Sequence, residues 1–235
     1  NIRLADDPKG FLTDPYVILD REVDGIPIKI GVIGFTPPQI MSWGRRHLEG
    51  NVFTQAIVEQ AEKYIPILRD QADLVIAVAH TGISTDEITS YDAQENAAYY
   101  LAQIEGIDAM ILGHQHSHFP GDFADIESID NDKGLIFGVP TVLPGSWGSH
   151  LGVISLDLAY DWNTGEWEVL DGSAALVPVD ADVETHPLLA ELVWPKHEAT
   201  IEYVRTPIGW TDTEITSYFS RIMDNPVTQI INEAQ

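Results

Sequence analysis

Cysteine is absent from this 235-residue sequence, which can therefore form no disulfide and offers no thiolate ligand. Any metal site must use histidine, carboxylate and amide groups instead. Basic residues are also scarce, since 12 Lys and Arg stand against 37 Asp and Glu and leave a formal net charge of −25. Binding to a nucleic-acid backbone requires a basic patch. We therefore expect no nucleic-acid polymer as a partner.

Long hydrophobic runs are missing as well. The longest runs, such as Leu74–Ala79, fall far short of the roughly 18 to 20 residues that cross a bilayer, and the first residues show no signal-peptide pattern. We predict no membrane insertion. An apolar content of 44% is ordinary for a packed protein. The length predicts one large domain, or one domain with a piece of another.

Short apolar runs alternate with segments of helical periodicity, which is typical of an α/β layered domain. Strands are predicted at 16–19, 28–35, 74–79 and 108–112, the last two buried on both faces. Helices are predicted at 54–70, with Thr54 as a cap, at 92–104 and at 187–204, and helical character at 214–235, interrupted at Pro226. Strands at 139–143, 151–158 and 166–170 are predicted to form a second, antiparallel sheet.

Histidines follow two of the predicted buried strands. His80 comes directly after 74–79, and Gly113-His114-Gln115-His116 comes directly after 108–112. Open α/β sheets bind their ligands at the carboxyl ends of parallel strands. Gly113 would permit a tight turn, and an extended backbone would send His114 and His116 to the same side. The two junctions together predict a shared metal site.

The other histidines carry weaker signals. His118 continues the alternation of His114 and His116, and it is either a contact that supports the site or substrate, or a surface residue. His150 follows a Gly-rich loop that either lines the same cleft or only serves loop geometry. The remaining three are predicted to be exposed to solvent, namely His47, His186 and His197.

Several longer motifs extend over nearly the whole chain. They include Phe35-Thr36-Pro37-Pro38-Gln39-Ile40 with Trp43, Ala79-His80-Thr81-Gly82-Ile83, Glu95-Asn96 and Gly113-His114-Gln115-His116-Ser117-His118-Phe119-Pro120-Gly121. Gly-His-x-His is typical of calcineurin-like metallophosphoesterases in general. The Pro-Pro-Gln-Ile and His-Phe-Pro-Gly elements make the match narrower, and with them the chain resembles the bacterial 2',3'-cyclic-nucleotide 2'-phosphodiesterase/3'-nucleotidases.

This resemblance implies a fold, a cofactor and a reaction. The fold is α/β, the C-terminal part of a layered β-sandwich metallophosphoesterase domain flanked by helices. Two divalent metal ions (zinc, manganese, magnesium or cobalt) lie between stacked sheets, one held in part by His80 and His114, the other by His116. His118 and Asn96 would contact a small nucleotide substrate. The implied reaction is hydrolysis of nucleoside 2',3'-cyclic phosphates and 3'-nucleotides by metal-activated water, in the periplasm or outside the cell.

Some of the family's motifs have no counterpart here. The sequence contains no Asp-x-His and no Gly-Asn-His, which in the family supply metal ligands and the histidine of the catalytic pair, so we assign no catalytic residue to this chain. We expect an internal portion of a longer protein, with 1–205 in the metallophosphoesterase domain and 206–235 as a linker and the start of a nucleotide-binding domain. Alone, it is expected to bind one ion or none and to be inactive.

Two alternatives remain open from the sequence. The first is a 5'-nucleotidase or nucleotide-sugar hydrolase of the same superfamily, which shares the metal motif but generally not the Pro-Pro-Gln-Ile segment. The second is a structural or binding domain without catalytic activity, whose histidines are remnants.

Overall fold

The computed structural model describes residues 1–90, 94–212 and 214–235. These residues form two compact units, 1–182 and 183–235. Among the helices described, none combines the length and the apolar character that a membrane span requires.

The first unit contains twelve strands in its described residues and four of the helices. The strands are β1 (Ile2–Leu4), β2 (Tyr16–Val23), β3 (Ile26–Phe35), β4 (Val52–Thr54), β5 (Leu74–Ala79), β6 (Ala109–Leu112), β7 (His118–Phe119), β8 (Ile129–Asp130), β9 (Leu135–Ile136), β10 (Val139–Pro144), β11 (His150–Asp161) and β12 (Glu166–Pro178). The helices are α1 (Ile40–Trp43), α2 (Arg45–Leu48), α3 (Ile57–Arg69) and α4 (Ala98–Leu101).

The central sheet has the strand order β2-β3-β5-β6-β10-β9-β8, with β7 paired to β10. Strands β3, β5, β6 and β10 run parallel to one another, whereas β2, β7, β8 and β9 are antiparallel to their neighbours. The predicted α/β class is confirmed. Helix α3 covers one face of the sheet and buries Ile57, Ala61, Ile65 and Leu68 completely. The parallel strands therefore end together at one edge.

The prediction that two central strands are buried on both faces holds near their start, where Leu74 and Ala109 are buried on the second face, and is wrong near their end. Val78 of β5 and Ile111 of β6 are 40% and 41% exposed, and the two residues are register partners. Their neighbours Ala77, Ala79, Met110 and Leu112 are buried against the face that α3 covers. The opposite face at this point is not covered by any of the described elements of the first unit, so uniform apolarity in the sequence did not mean burial on both sides.

The predicted second sheet is only partly correct. Strands β11 and β12 do form a separate antiparallel pair, but β10 belongs to the central sheet, where it runs parallel to β6. The hairpin lies against β10, because Gly152 faces Val142 and Gly172 faces Pro140 at distances that leave no space for a side chain.

Two helix predictions also need correction. Helix α3 begins at Ile57 after Ala56, and Thr54 does not cap it, because Thr54 is the last residue of β4 and pairs with Ile2. The helix predicted at 92–104 is seen only as α4 at Ala98–Leu101. Residues 92 and 93 of that prediction lie outside the described residues.

The second unit contains two helices, α5 (Pro187–Arg205) and α6 (Pro226–Ala234). Pro226 was predicted to interrupt a helix, but it begins α6 in the position after the cap, where proline is favourable. The side chain of Asn225 caps this helix by accepting a hydrogen bond from the amide of Thr228 at 3.0 Å. The assignment of 206–235 to a further domain stays a prediction.

Two glycines of β3 offer a matched test of the packing. An alanine side chain at Gly31 would lie 2.7 Å from Leu68, which is fully buried, whereas nothing lies within 4 Å of the same position at Gly34. We expect Gly31→Ala to lower the free energy of unfolding by about 1–3 kcal/mol through overpacking. Gly34→Ala should change it by less than about 1 kcal/mol. Urea unfolding of both variants checks this, and equal effects would contradict the packing of α3 on β3.

Candidate functional site

His80 and His114 lie side by side at the carboxyl edge of the sheet. Each follows the end of a parallel strand, since Ala79 of β5 pairs with Leu112 of β6. Their ring centroids are 5.2 Å apart and the rings are tilted by 59°. The structure brings the two junctions together, and the predicted metal site stays a prediction. Gly113 contributes differently from the prediction, because a side chain there would come within 3.3 Å of His80 Nδ1, and glycine provides space for this ring.

The His114 ring has two further neighbours. Its Nε2 lies 2.8 Å from Oε1 of Glu95. The indole of Trp43 stacks on its face, with centroids 4.9 Å apart and an angle of 23° between the planes. The Glu95-Asn96 motif in the sequence does not identify Glu95 as a partner of His114. The two residues are 19 positions apart on different loops, so no periodicity in the sequence could have paired them.

His114 and His116 do not share an extended backbone. Their φ angles are +76° and +59°, in the left-handed region, so the strand alternation used to place both side chains on one side does not apply. His116 instead has Trp147 as its aromatic neighbour, with ring centroids 6.1 Å apart. The two imidazoles therefore have different surroundings.

His118 forms a second pair with His150. Their rings meet edge to face at a centroid distance of 4.5 Å. The carboxylate of Asp122 accepts a hydrogen bond from the amide of His118 at 2.7 Å and lies 3.4 Å from its Nδ1. The Gly-rich loop before His150 thus reaches the histidine loop. A role for His118 in substrate binding stays a prediction.

Asn96 is packed into the loop beside Thr81-Gly82. Its Oδ1 is buried and has no hydrogen-bond partner among the described residues. A side chain at Gly82 would come within 2.3 Å of this oxygen, so glycine is needed for the approach. The predicted substrate contact of Asn96 stays a prediction. His47, His186 and His197 are exposed, as predicted.

Open space lies next to His80. A cavity of about 310 Å³ is lined by His80, Val78, Thr36, Phe11 and Asn1, among others. The cavity is large enough to admit several water molecules or a small anion. His80 is therefore accessible from one side.

The imidazoles provide a partial set of metal ligands. Imidazole nitrogen suits zinc, whereas manganese and magnesium favour oxygen ligands. Nevertheless, within 1–90, 94–212 and 214–235 no group of three or more histidine and carboxylate side chains is arranged to hold an ion. The described histidines thus supply some of the ligands of a metal centre and not the complete set.

Acid is expected to destabilise the fold through His80. His80 is largely exposed, and the partial burial of its imidazole lowers its pKa below the ordinary 6.5, as does charge on His114 and His116; we therefore expect a small effect. The His80 imidazole therefore takes up a proton at higher pH in the unfolded chain than in the folded chain. The contribution of the neutral imidazole to stability is complete above the pKa of the unfolded state, and it is lost as the pH falls through the pKa of the folded state. Urea unfolding from neutral pH downwards should show a shallower decline for His80→Asn than for the wild type. Parallel declines would contradict the assignment.

The chain is similar to known proteins both in sequence and in fold. No family model matches the chain. The 2',3'-cyclic-nucleotide 2'-phosphodiesterase/3'-nucleotidase of Salmonella typhimurium is 42% identical over 95% of this chain, and the trifunctional nucleotide phosphoesterase protein YfkN of Bacillus subtilis is 40% identical over 94%. The crystal structure of calcineurin-like phosphoesterase YfkN from Bacillus subtilis matches 88% of the chain with a TM-score of 0.78 and 38% identity.

The relatives are considerably longer than the chain. It spans 36% of the Salmonella protein, 16% of the Bacillus protein and 63% of the solved YfkN chain. Within these limits, the comparisons confirm the resemblance that the motifs indicated.

Proposed function

We propose, from the homology of this chain to part of the bacterial 2',3'-cyclic-nucleotide 2'-phosphodiesterase/3'-nucleotidases, that it belongs to a metal-dependent phosphoric ester hydrolase. Its substrates are nucleoside 2',3'-cyclic phosphates and 3'-nucleotides. The observation that carries the proposal is the placement of His80 and His114 with rings 5.2 Å apart at the carboxyl edge of the sheet, in a chain 42% identical to such an enzyme over 95% of its length.

Three histidines take the metal-binding roles in this proposal. His80 and His114 contribute to one divalent ion and His116 contributes to the other. Such ions lower the pKa of water and offset the charge of phosphate oxygens. The chain has a formal net charge of −25, so an anionic substrate needs a local source of positive charge. In this proposal the metal ions, and not lysine side chains, supply that charge.

The test uses the complete protein that contains this sequence. It should release phosphate from 3'-AMP and open 2',3'-cyclic AMP, and a chelator should abolish both activities until a divalent ion is restored. Parallel assays with 5'-AMP and a nucleotide sugar distinguish the sibling reactions, because these substrates should be cleaved far more slowly. Undiminished activity in chelator would overturn the metal dependence, and preference for 5'-AMP would overturn the proposed substrate.

Residues 1–235 alone should be catalytically silent. A two-metal site needs a bridging group that holds both ions roughly 3.5–4 Å apart. His80 and His114 supply two ligands to one ion and His116 supplies one to the other, whereas a stable zinc site usually has roughly three or four protein ligands. Isothermal titration of the chain with zinc should show at most one weakly held ion, and a phosphatase assay no turnover. Two tight sites with turnover would show that other residues of this chain complete the centre.

We also propose that the complete protein acts in the periplasm or outside the cell, as the resemblance implies. Fractionation of the source cells by osmotic shock, with a cytoplasmic marker enzyme as control, checks this proposal. Release of the protein together with the periplasmic contents is expected, and retention with the marker would contradict it.

A further inference from the structure

The backbone around Glu95 is anchored on both sides. Gln94, whose side chain is fully buried, donates a hydrogen bond to the carboxylate of Glu59 in α3 at 2.8 Å. The equally buried hydroxyl of Thr81 donates to the carbonyl of Glu95 and accepts from the amide of Ala97, both at 2.8 Å. The segment is therefore tied to α3 and to the end of β5, and Glu95 has a fixed place in the fold.

The carboxylate of this anchored residue meets one imidazole. Oε1 of Glu95 lies 2.8 Å from Nε2 of His114, whose side chain is only 18% exposed. An ionised carboxylate accepts hydrogen bonds and cannot donate them, so Nε2 must carry the hydrogen. Trp43 stacks on the face of the same ring and opposes its rotation. The imidazole of His114 is thus fixed by Glu95 at one edge and by Trp43 on one face.

Within the described residues, the neighbouring histidines have no carboxylate contact as close as that of His114. The carboxylate of Asp122 lies 3.4 Å from Nδ1 of His118, and both of these side chains are well exposed. For His80 and His116 the described part of the chain provides no carboxylate within ion-pair distance. The close hydrogen bond to Glu95 therefore distinguishes His114 from its neighbours.

We propose that Glu95 is a positioning residue that holds His114 as the Nε2–H tautomer and leaves Nδ1 as the ring nitrogen free to bind a metal ion. A metal-ligating histidine commonly donates its second ring N–H to a carboxylate, which fixes its tautomer and orientation. The metal-binding part of this inference rests on the proposed function. The tautomer does not, and it exists without metal or substrate.

The test is nitrogen NMR of the metal-free 235-residue chain labelled with ¹⁵N-histidine, at a pH where the imidazoles are neutral. His114→Gln assigns the signals. We expect the His114 signals of a protonated Nε2 and an unprotonated Nδ1. Glu95→Ala should give averaged signals of both tautomers, whereas Glu95→Gln, which retains an acceptor oxygen, should restore most of the wild-type pattern. An Nδ1–H tautomer or a doubly protonated ring in the wild type would overturn the proposal.

A zinc titration followed at the same signals tests the consequence for binding. Glu95→Ala should require roughly 10- to 100-fold more zinc to shift His114 Nδ1. Glu62→Ala is the matched control, since it removes the same charge from an exposed position of α3 and should leave the titration unchanged. If zinc binding at His114 weakened equally in both variants, the negative charge of Glu95 would explain its effect and the positioning role would be refuted. Failure of the complete protein to hydrolyse nucleotides would refute the proposed function and leave the tautomer result standing.

Discussion

Replacing His114 by alanine in the complete protein is expected to lower phosphate release from 3'-AMP by more than a hundredfold. Changes to the outer contacts of a metal ligand cost roughly 10- to 100-fold, and loss of the ligand itself should cost more. The substitution also removes the ring on which Trp43 stacks and to which Glu95 bonds. Steady-state rates under saturating and limiting metal would separate lost affinity from lost turnover.

His47→Ala is the control for this variant. His47 lies in α2, four residues after Trp43, and its side chain is exposed. The His47→Ala variant should leave the rate of phosphate release from 3'-AMP unchanged. A His114→Ala enzyme that retains most of its activity would show that the metal centre lies elsewhere, and would refute the assignment of His80 and His116 with it.

Replacing Phe119 by alanine should lower the free energy of unfolding by about 3–5 kcal/mol. Phe119 is fully buried, pairs with Leu143 through β7, and contacts the ring of Phe123 at a centroid distance of 6.1 Å. It directly follows His118, so the cavity left behind would also loosen the loop that carries the histidines. Urea unfolding gives the stability.

Phe137→Ala is the matched control. Phe137 is 38% exposed and its main aromatic contact is the ring of Tyr99 at 4.9 Å. Truncation there should cost about 1 kcal/mol. If both variants lost the same stability, the burial of Phe119 would not be the source of its effect.

The parts of the fold that could be predicted are those in which local pattern and tertiary position agree. Strand β5 was predicted at its observed residues, 74–79, because six apolar residues in succession with turn signals on both sides suit a central strand. Helix α5 was predicted within one residue. The pairing partners of β10 were not predictable in this way, since its sequence is equally suited to a parallel and an antiparallel neighbour.

The candidate site shows the same division. That His80 and His114 meet follows from parallel strand ends, a rule that operates on the sequence order of elements. The contact of Glu95 with His114 depends on how two irregular loops are anchored by Gln94 and Thr81. Loop conformation is decided by such buried hydrogen bonds, which leave no periodic trace in the sequence.

The exposed row of Gly34, Val78 and Ile111 across three adjacent strands has a consequence for the colloidal behaviour of the chain. Apolar sheet surface promotes self-association, while a formal charge of −25 keeps copies apart. The Debye length falls from about 10 Å at 0.1 M salt to about 3 Å at 1 M, so concentrated salt removes the repulsion and leaves the apolar attraction. The isolated chain should therefore be monodisperse in dilute buffer and associate as the ionic strength rises.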